Sequence, residues 1–211
     1  MNILSIETSQ PRASLCLSKN GELCCEISWE ADRNHDAWLF PALEKALGTL
    51  AEGEPLDYII VGAGPGSYGG VRVALAAAVG IATVTGAKTV ALCSWGALAA
   101  PNVGIVSDAK RGGWTLRRPN GEIVVLNPDE LKQEALQGLP LATIEHADTV
   151  ATLGINWEAM ELAPIAALLL QNWNRLSVEE QQRLASLPPE PIYVRPPHIT
   201  KALHKPWEIR K

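Results

Sequence analysis

The stretch "VGAGPGSYGGVRVALAAAVGIA", Val61 to Ala82, passes from an apolar run through five glycines into a segment with no charge after Arg72. Glycines between a strand and a helix let backbone N–H groups converge, and the helix start adds partial positive charge. One reading is therefore an anion site built around Gly64, Gly66 and Ser67. The other is a tight turn that brings the helix close to its sheet, and spacing leaves both open. Gly64-x-Gly66-x-x-Gly69 has the form of a dinucleotide fingerprint, but it follows the fourth strand-like run. No acid ends the next run, "KTVAL" (88–92), to hold a ribose. No Lys-Ser/Thr pair follows Gly69-Gly70, which excludes a P-loop.

The helix after the loop is apolar all round. Val71, Ala74, Leu75, Ala78, Val79 and Ala82 fill one side, and Val73, Ala76, Ala77 and Ile81 much of the other. Such a helix must be covered all round. The small residues Gly70, Ala74, Ala78 and Ala82 form a ridge on which a second helix is expected to sit. A preceding helix is predicted over 36–50, its stripe made by Leu39, Leu43, Ala46, Leu47 and Leu50, with Trp38 and Phe40 beside it. The expected interface comprises Trp38, Leu39, Ala42, Leu43, Ala46, Arg72, Ala74, Leu75, Ala78, Val79 and Ala82. Val73–Ala87 is shorter than the roughly 18 apolar residues of a membrane span, so a buried helix is the expectation.

Upstream lie strand-like runs at 2–7, 13–17 and 23–29, the last two flanking an Asn20-Gly21 hairpin turn. After the helix come strands over 57–61 and 89–92. Near residue 102 the pattern restarts, with a strand ending at Asp108, a second strand, an Asn120-Gly121 turn and a third. Glu7 and Asp108 thus end the first strand of each half. The halves look duplicated, and an acid at the end of a strand entering a hairpin is similar to the actin, hexokinase and Hsp70 architecture. The expected fold is α/β, with two tandem ribonuclease-H-like (actin/Hsp70-like) domains at 1–100 and 101–211, each a mixed sheet flanked by helices. Helices are further predicted over 126–137, beginning at Asn127-Pro128, and over 163–173 and 178–187. "PIYVR" (191–195) reads as a short strand or extended segment. The tail from Arg195 carries five Lys/Arg against one Glu and reads as either disordered or a small basic contact surface.

Composition bounds the function. The 211 residues are 47% hydrophobic and 19% charged, which excludes a disordered chain, and the net charge of -5 gives no molecule-wide footprint for nucleic acid. Cys16, Cys24, Cys25 and Cys93 have no C-x-x-C spacing and suit reduced thiols in a cytoplasmic protein. "MNILSIETS" reads as a first strand rather than a signal peptide. His35, His146, His198 and His204 are scattered, so no metal site is expected. Ser67 and Ser94 lack a nucleophile elbow. Glu7 and Asp108 suit either acid–base or magnesium-water chemistry across a cleft, or simple capping of the turns that follow. A working kinase of this architecture needs a second phosphate loop, to which only "KRGG" (110–113) answers, and a later glycine-rich adenosine loop, to which nothing answers.

"ILSIETS", "RNHDAWLFPAL", "GAGPGSYGGVRVALAAAVGIA", "SDAKRGGW" and "PIYVR" resemble, in order, the landmarks of the TsaB (YeaZ) family, related to TsaD and the so-called M22 glycoproteases. The resemblance implies a non-catalytic subunit for the N6-threonylcarbamoyladenosine (t6A) modification of adenosine 37 in tRNAs reading ANN codons. In that family the metal-bearing transferase TsaD pairs with TsaB, and the ATPase TsaE binds the pair; tRNA is met through the complex. TsaB-like proteins pair through two apolar helices, with TsaD or as homodimers, and segments 36–50 and 71–85 correspond to them here. No cofactor is expected of this chain, ATP/ADP and metal belonging to the partners, and no membrane. Glu7, Thr8, Gly64, Gly66 and Ser67 are carried over as a vestigial phosphate site. Gly69 stands where the family usually has Thr, and "AKRGGW" lacks an acid usual in that segment; both changes weaken nucleotide binding and leave a scaffold role intact. The alternative is an autonomous actin-like small-molecule kinase or ATPase.

Overall fold

The computed structural model describes residues 1–30, 35–98, 102–158 and 165–195. β1 (Asn2–Glu7), β2 (Arg12–Lys19) and β3 (Glu22–Glu30) form an antiparallel meander. Asn20 (φ 52°) and Gly21 (φ 88°) supply the left-handed pair of its two-residue turn. α1 (His35–Leu47) leads to β4 (Tyr58–Gly62), α2 (Tyr68–Thr85) and β5 (Lys88–Leu92). The sheet order is β3-β2-β1-β4-β5, with β4 parallel to β1 and β5 parallel to β4. A short α3 (Ser94–Ala97) precedes the second unit, β6 (Gly104–Asp108), β7 (Trp114–Arg117), β8 (Ile123–Leu126), α4 (Pro128–Leu136) and β9 (Leu141–Thr143). Its order is β8-β7-β6-β9, again an antiparallel triplet with a parallel strand beside its first member. The duplication seen in the sequence is a repeated topology. The second hairpin differs in detail: Gly121 alone is left-handed, its N–H donating to the Arg118 carbonyl at 2.9 Å.

The predicted helices appear at 35–47, 68–85 and 128–136, the last opened by an Asn127–Glu130 capping box with Pro128 in its first turn. α5 (Ala147–Val150), α6 (Ile165–Arg175) and α7 (Val178–Ala185) follow. The segment 191–195 forms no strand and bends at Val194 and Arg195, and the tail beyond Arg195 lies outside the described residues, as do the side chains of His35 and Asp36.

β1 is buried on both faces. Leu4 and Ile6 meet Leu15, Leu39, Ala42, Ala46, Val71, Ala74 and Ala78 under α1 and α2. Ile3, Cys16, Ile60 and Val90 on the opposite face meet Ile165, Leu169 and Trp173 of α6 in a core that also takes Ile105 and Ala142 from the second sheet. Ser14 Oγ accepts the Ala166 amide at 3.1 Å, so even a buried strand hydroxyl is used to seat α6. The outer face of the second sheet closes over Val106, Leu116, Leu131 and Leu141.

Among the described residues, α2 is the one helix long and apolar enough, by length and composition, to cross a membrane. It is capped at both ends: Ser67 Oγ accepts the Gly70 amide, and left-handed Gly86 returns its N–H to Ala82 at 2.8 Å. It packs on the sheet through Gly70, Val71, Ala74, Leu75 and Ala78, leaves Val73, Ala77, Ile81 and Ala82 half-buried, and exposes Ala76, Val79, Gly80 and Val84.

Candidate functional site

The glycine loop is filled by its own protein. The Ser67 amide donates to the Ser9 carbonyl (2.7 Å), Thr8 Oγ1 to the Gly70 carbonyl (2.7 Å), and Gln10 Nε2 to the Pro65 carbonyl (2.8 Å). The Gly64 amide donates to Ser94 Oγ at 3.0 Å, and Ser94 returns its own amide to the Gly64 carbonyl at 2.9 Å. The β1–β2 turn thus occupies the concavity. A Cβ at Gly66 would overlap the Ser9 carbonyl, one at Gly70 the Thr8 carbonyl, and one at Gly62 the Glu7 carboxylate. These glycines are there for close approach of backbone to backbone and backbone to carboxylate. Of the phosphate-site candidates, Glu7, Thr8 and Gly64 are buried and committed to internal bonds; Gly66 and Ser67 alone reach the surface. The close-packed turn is the reading that the geometry favours over an open anion cradle.

Glu7 is fully enclosed. Its Oε1 accepts the Ser9 amide at 2.5 Å, while Oε2 has no hydrogen-bond partner. Burial pushes its carboxyl above the usual range, and the Ser9 amide with the neighbouring Ser9 and Ser94 hydroxyls only partly offsets that. Because the folded-state value is raised, the native state favours the protonated acid. The stability it contributes is complete below the ordinary value of 4.5 and is lost as pH rises through the folded value. Glu7→Gln keeps the oxygen for Ser9 and removes the charge. Denaturant titration at about pH 5 and about pH 8 is expected to show the variant gaining on wild type at the higher pH, by about 1 kcal/mol or more. An unchanged difference between the two pH values would contradict a buried titrating Glu7.

Asp108 plays the corresponding part in the second unit. Its Oδ1 accepts the Lys110 amide at 2.7 Å and its Oδ2 pairs with Lys110 Nζ at 2.8 Å. Both strand-end acids hold the amide two residues on, which is the turn-capping role. The KRGG turn is closed on itself, the Ala109 amide donating to the Gly113 carbonyl at 3.0 Å and the Gly113 amide to the Lys110 carbonyl at 3.1 Å. Arg195 lies over it, donating from Nη1 to the Lys110 carbonyl at 3.2 Å. Just upstream, the Ile192 amide donates to the Ala63 carbonyl at 2.7 Å, and Tyr193 stacks on Tyr68 with ring centres 4.9 Å apart. Residues 192–195 therefore join the glycine loop of one unit to the basic turn of the other. Among the described residues, no three His, Cys, Asp or Glu side chains gather to hold a metal.

Most of the expected helix interface is buried inside the chain itself. Ala74 and Ala78 are fully buried, Leu75 nearly so, and Leu39, Ala42, Leu43 and Ala46 are buried on α1. The small-residue ridge faces the sheet and α1 of its own chain, where short side chains let the helix approach closely. Of the expected set, Trp38, Arg72 and Val79 are exposed and Ala82 is half-buried. The uncovered apolar surface lies on the other side, a groove of about 530 Å³ lined by Phe40, Leu43, Leu47, Val73, Ala76, Ala77, Gly80 and Ile81. Phe40 and Trp38 are each 57% exposed beside it.

Two antiparallel-triplet sheets in tandem, each extended by parallel pairing and flanked by helices, make a tandem ribonuclease-H-like (actin-like) fold. A family model described as TsaD, tRNA N6-adenosine threonylcarbamoyltransferase, matches residues 29–112, less than half of the chain. A solved structure described as similar to the peptidase YeaZ from Pseudomonas aeruginosa is 21% identical, with a TM-score of 0.68 over 92% of this chain and 99% of the other. YeaZ from Pseudomonas aeruginosa is also 21% identical, with a TM-score of 0.64 over 91% and 99%. The structural likenesses establish the fold.

Proposed function

We propose that this chain is a non-catalytic subunit in the synthesis of N6-threonylcarbamoyladenosine on tRNA, working as scaffold and activator of a TsaD-like transferase together with a TsaE-like ATPase. The observation that carries the reading is the uncovered α1/α2 face. A helix that is apolar all round, with one stripe on its own sheet, leaves a second stripe for another molecule. Phe40, Val73, Ala76, Ala77, Gly80 and Ile81 combine aromatic and small residues, which suits helix-on-helix docking. The partner is a TsaD-like protein because the family match points to that reaction. In isolation the same face pairs two copies of this chain.

The internally satisfied glycine loop and the capped acids Glu7 and Asp108 support a chain that needs no cofactor of its own. ATP and metal belong to the partners, and the complex works in the cytoplasm. An autonomous kinase would require the β1–β2 turn to leave the loop, which breaks the Ser67–Ser9, Thr8–Gly70 and Gln10–Pro65 bonds together. The test is reconstitution with TsaD-like and TsaE-like subunits, threonylcarbamoyl-adenylate, ATP and tRNA. Modified adenosine is expected only when this chain is added, and none is expected from this chain alone. Equal product with and without it would refute the proposal.

A further inference from the structure

The surface where the 192–195 segment crosses between the two units has no part in the partner face. Tyr68 and Tyr193 stack there while remaining 45% and 42% exposed, and the Arg72 guanidinium lies over the Tyr68 ring at 5.2 Å. Arg195, two residues past Tyr193, reaches the turn that presents Lys110 and Arg111. Arg72, Arg111 and Arg195 form no ion pair among the described residues, whereas Lys110 pairs with Asp108. Asp108 is held by Lys110, and Glu145 accepts the Asp108 amide and the Ser107 hydroxyl. On a chain of net charge -5, an exposed aromatic pair carrying Arg72 and linked through Arg195 to a turn with two further cations stands out.

The turn carries a second, independent sign. Lys110 (φ 62°) and Arg111 (φ 55°) are both left-handed, as is Gly112 (φ 72°). Non-glycine residues in that region cost free energy that a merely connecting turn avoids by using glycine. Here the strained positions are held by the two long cationic side chains.

We infer that Tyr68, Arg72, Tyr193, Arg195, Lys110 and Arg111 form a direct contact surface for an unpaired RNA segment. A base extends the exposed tyrosine stack, and the remaining N–H groups of Arg72 and Arg195, with Arg111, take the phosphates on either side. The inference rests on the proposed function only in taking RNA, rather than DNA, as the nucleic acid.

Fluorescence anisotropy on the full isolated chain tests it, with a labelled short hairpin RNA bearing an unpaired loop and a fully paired RNA of equal length. Wild type is expected to prefer the looped RNA and to weaken steeply with salt. Arg72→Glu is expected to lower affinity about tenfold. Arg111→Gly is the decisive variant, since it relieves the left-handed strain. It is expected to melt no lower than wild type while binding the looped RNA several-fold more weakly. Tyr193→Leu is expected to reduce the preference for the loop. Failure of wild type to bind, or equal binding by wild type, Arg72→Glu and Arg111→Gly, would overturn the surface. Weakened capture of a TsaD-like subunit with RNA binding intact would also overturn it and make the patch a protein contact. Ala76→Glu, on the opposite use of α2, is expected to leave RNA binding unchanged, so loss of partner pairing in that variant bears on the proposed function alone.

Discussion

Gly70→Ala is expected to destabilise the fold by about 3 kcal/mol or more, while Gly69→Ala, one residue earlier, is expected to be neutral or stabilising by up to about 1 kcal/mol. Both residues lie in the first turn of α2, so helix propensity favours alanine at each. What separates them is the neighbour. A Cβ at Gly70 would overlap the Thr8 carbonyl, and Thr8 Oγ1 already donates to the Gly70 carbonyl at 2.7 Å, so backbone faces backbone and no flexible side chain can give way. A Cβ at Gly69 meets no atom within 4 Å. Making room at Gly70 means withdrawing α2 from the β1–β2 turn, which also threatens the Ser67–Ser9 bond and the seat of Glu7 against Gly62. Urea unfolding of the two variants measures the contrast. Equal stability would show that the loop and turn are less closely locked than the geometry requires.

Ala76→Glu is expected to leave the isolated chain folded and to weaken association with a TsaD-like partner by about 100-fold or more. Ala76 is exposed at the groove floor, and glutamate is a good helix former, so the monomer accommodates it in water. In a dry helix-on-helix contact the same carboxylate has no cation to meet, and burying it unpaired costs several kcal/mol. Ala78→Glu is a misleading probe by comparison. Ala78 is fully buried among Leu4, Ile6 and Ala74, so a carboxylate there attacks the fold, and lost pairing would report unfolding. Thermal melts of both variants separate these effects before any binding is measured.

The reason the sequence points to the buried side of α2 is physical. An amphipathic helix declares its inner face, but α2 has apolar residues at Val71, Ala74, Leu75 and Ala78 and also at Val73, Ala76, Ala77 and Ile81, so periodicity carries no direction. Small residues fit a close approach to a helix or to a sheet, and here the sheet takes Gly70, Ala74 and Ala78. The strand order was more legible, because Asn20-Gly21 and Asn120-Gly121 punctuate two matching meanders. β9 was not, since three residues are too few to show an alternation and its pairing with β6 is non-local. The partners of the glycine loop were equally hidden. Nothing in "GAGPGSYGG" says that Ser9 and Thr8, more than fifty residues earlier, will occupy it. The tension of "PIYVR" between strand and extended chain resolved as a segment held by one backbone bond and a tyrosine stack, contacts that no short-range pattern announces.

The measurement that bears most directly on the central claim is the mass in solution of this chain mixed with the TsaD-like subunit from the same source, wild type against Ala76→Glu. The account predicts a stable heterodimer for wild type and separate species for the folded Ala76→Glu variant. A wild-type chain that ignores the transferase, or an Ala76→Glu chain that pairs with it as tightly as wild type, would contradict the α1/α2 face as the seat of function.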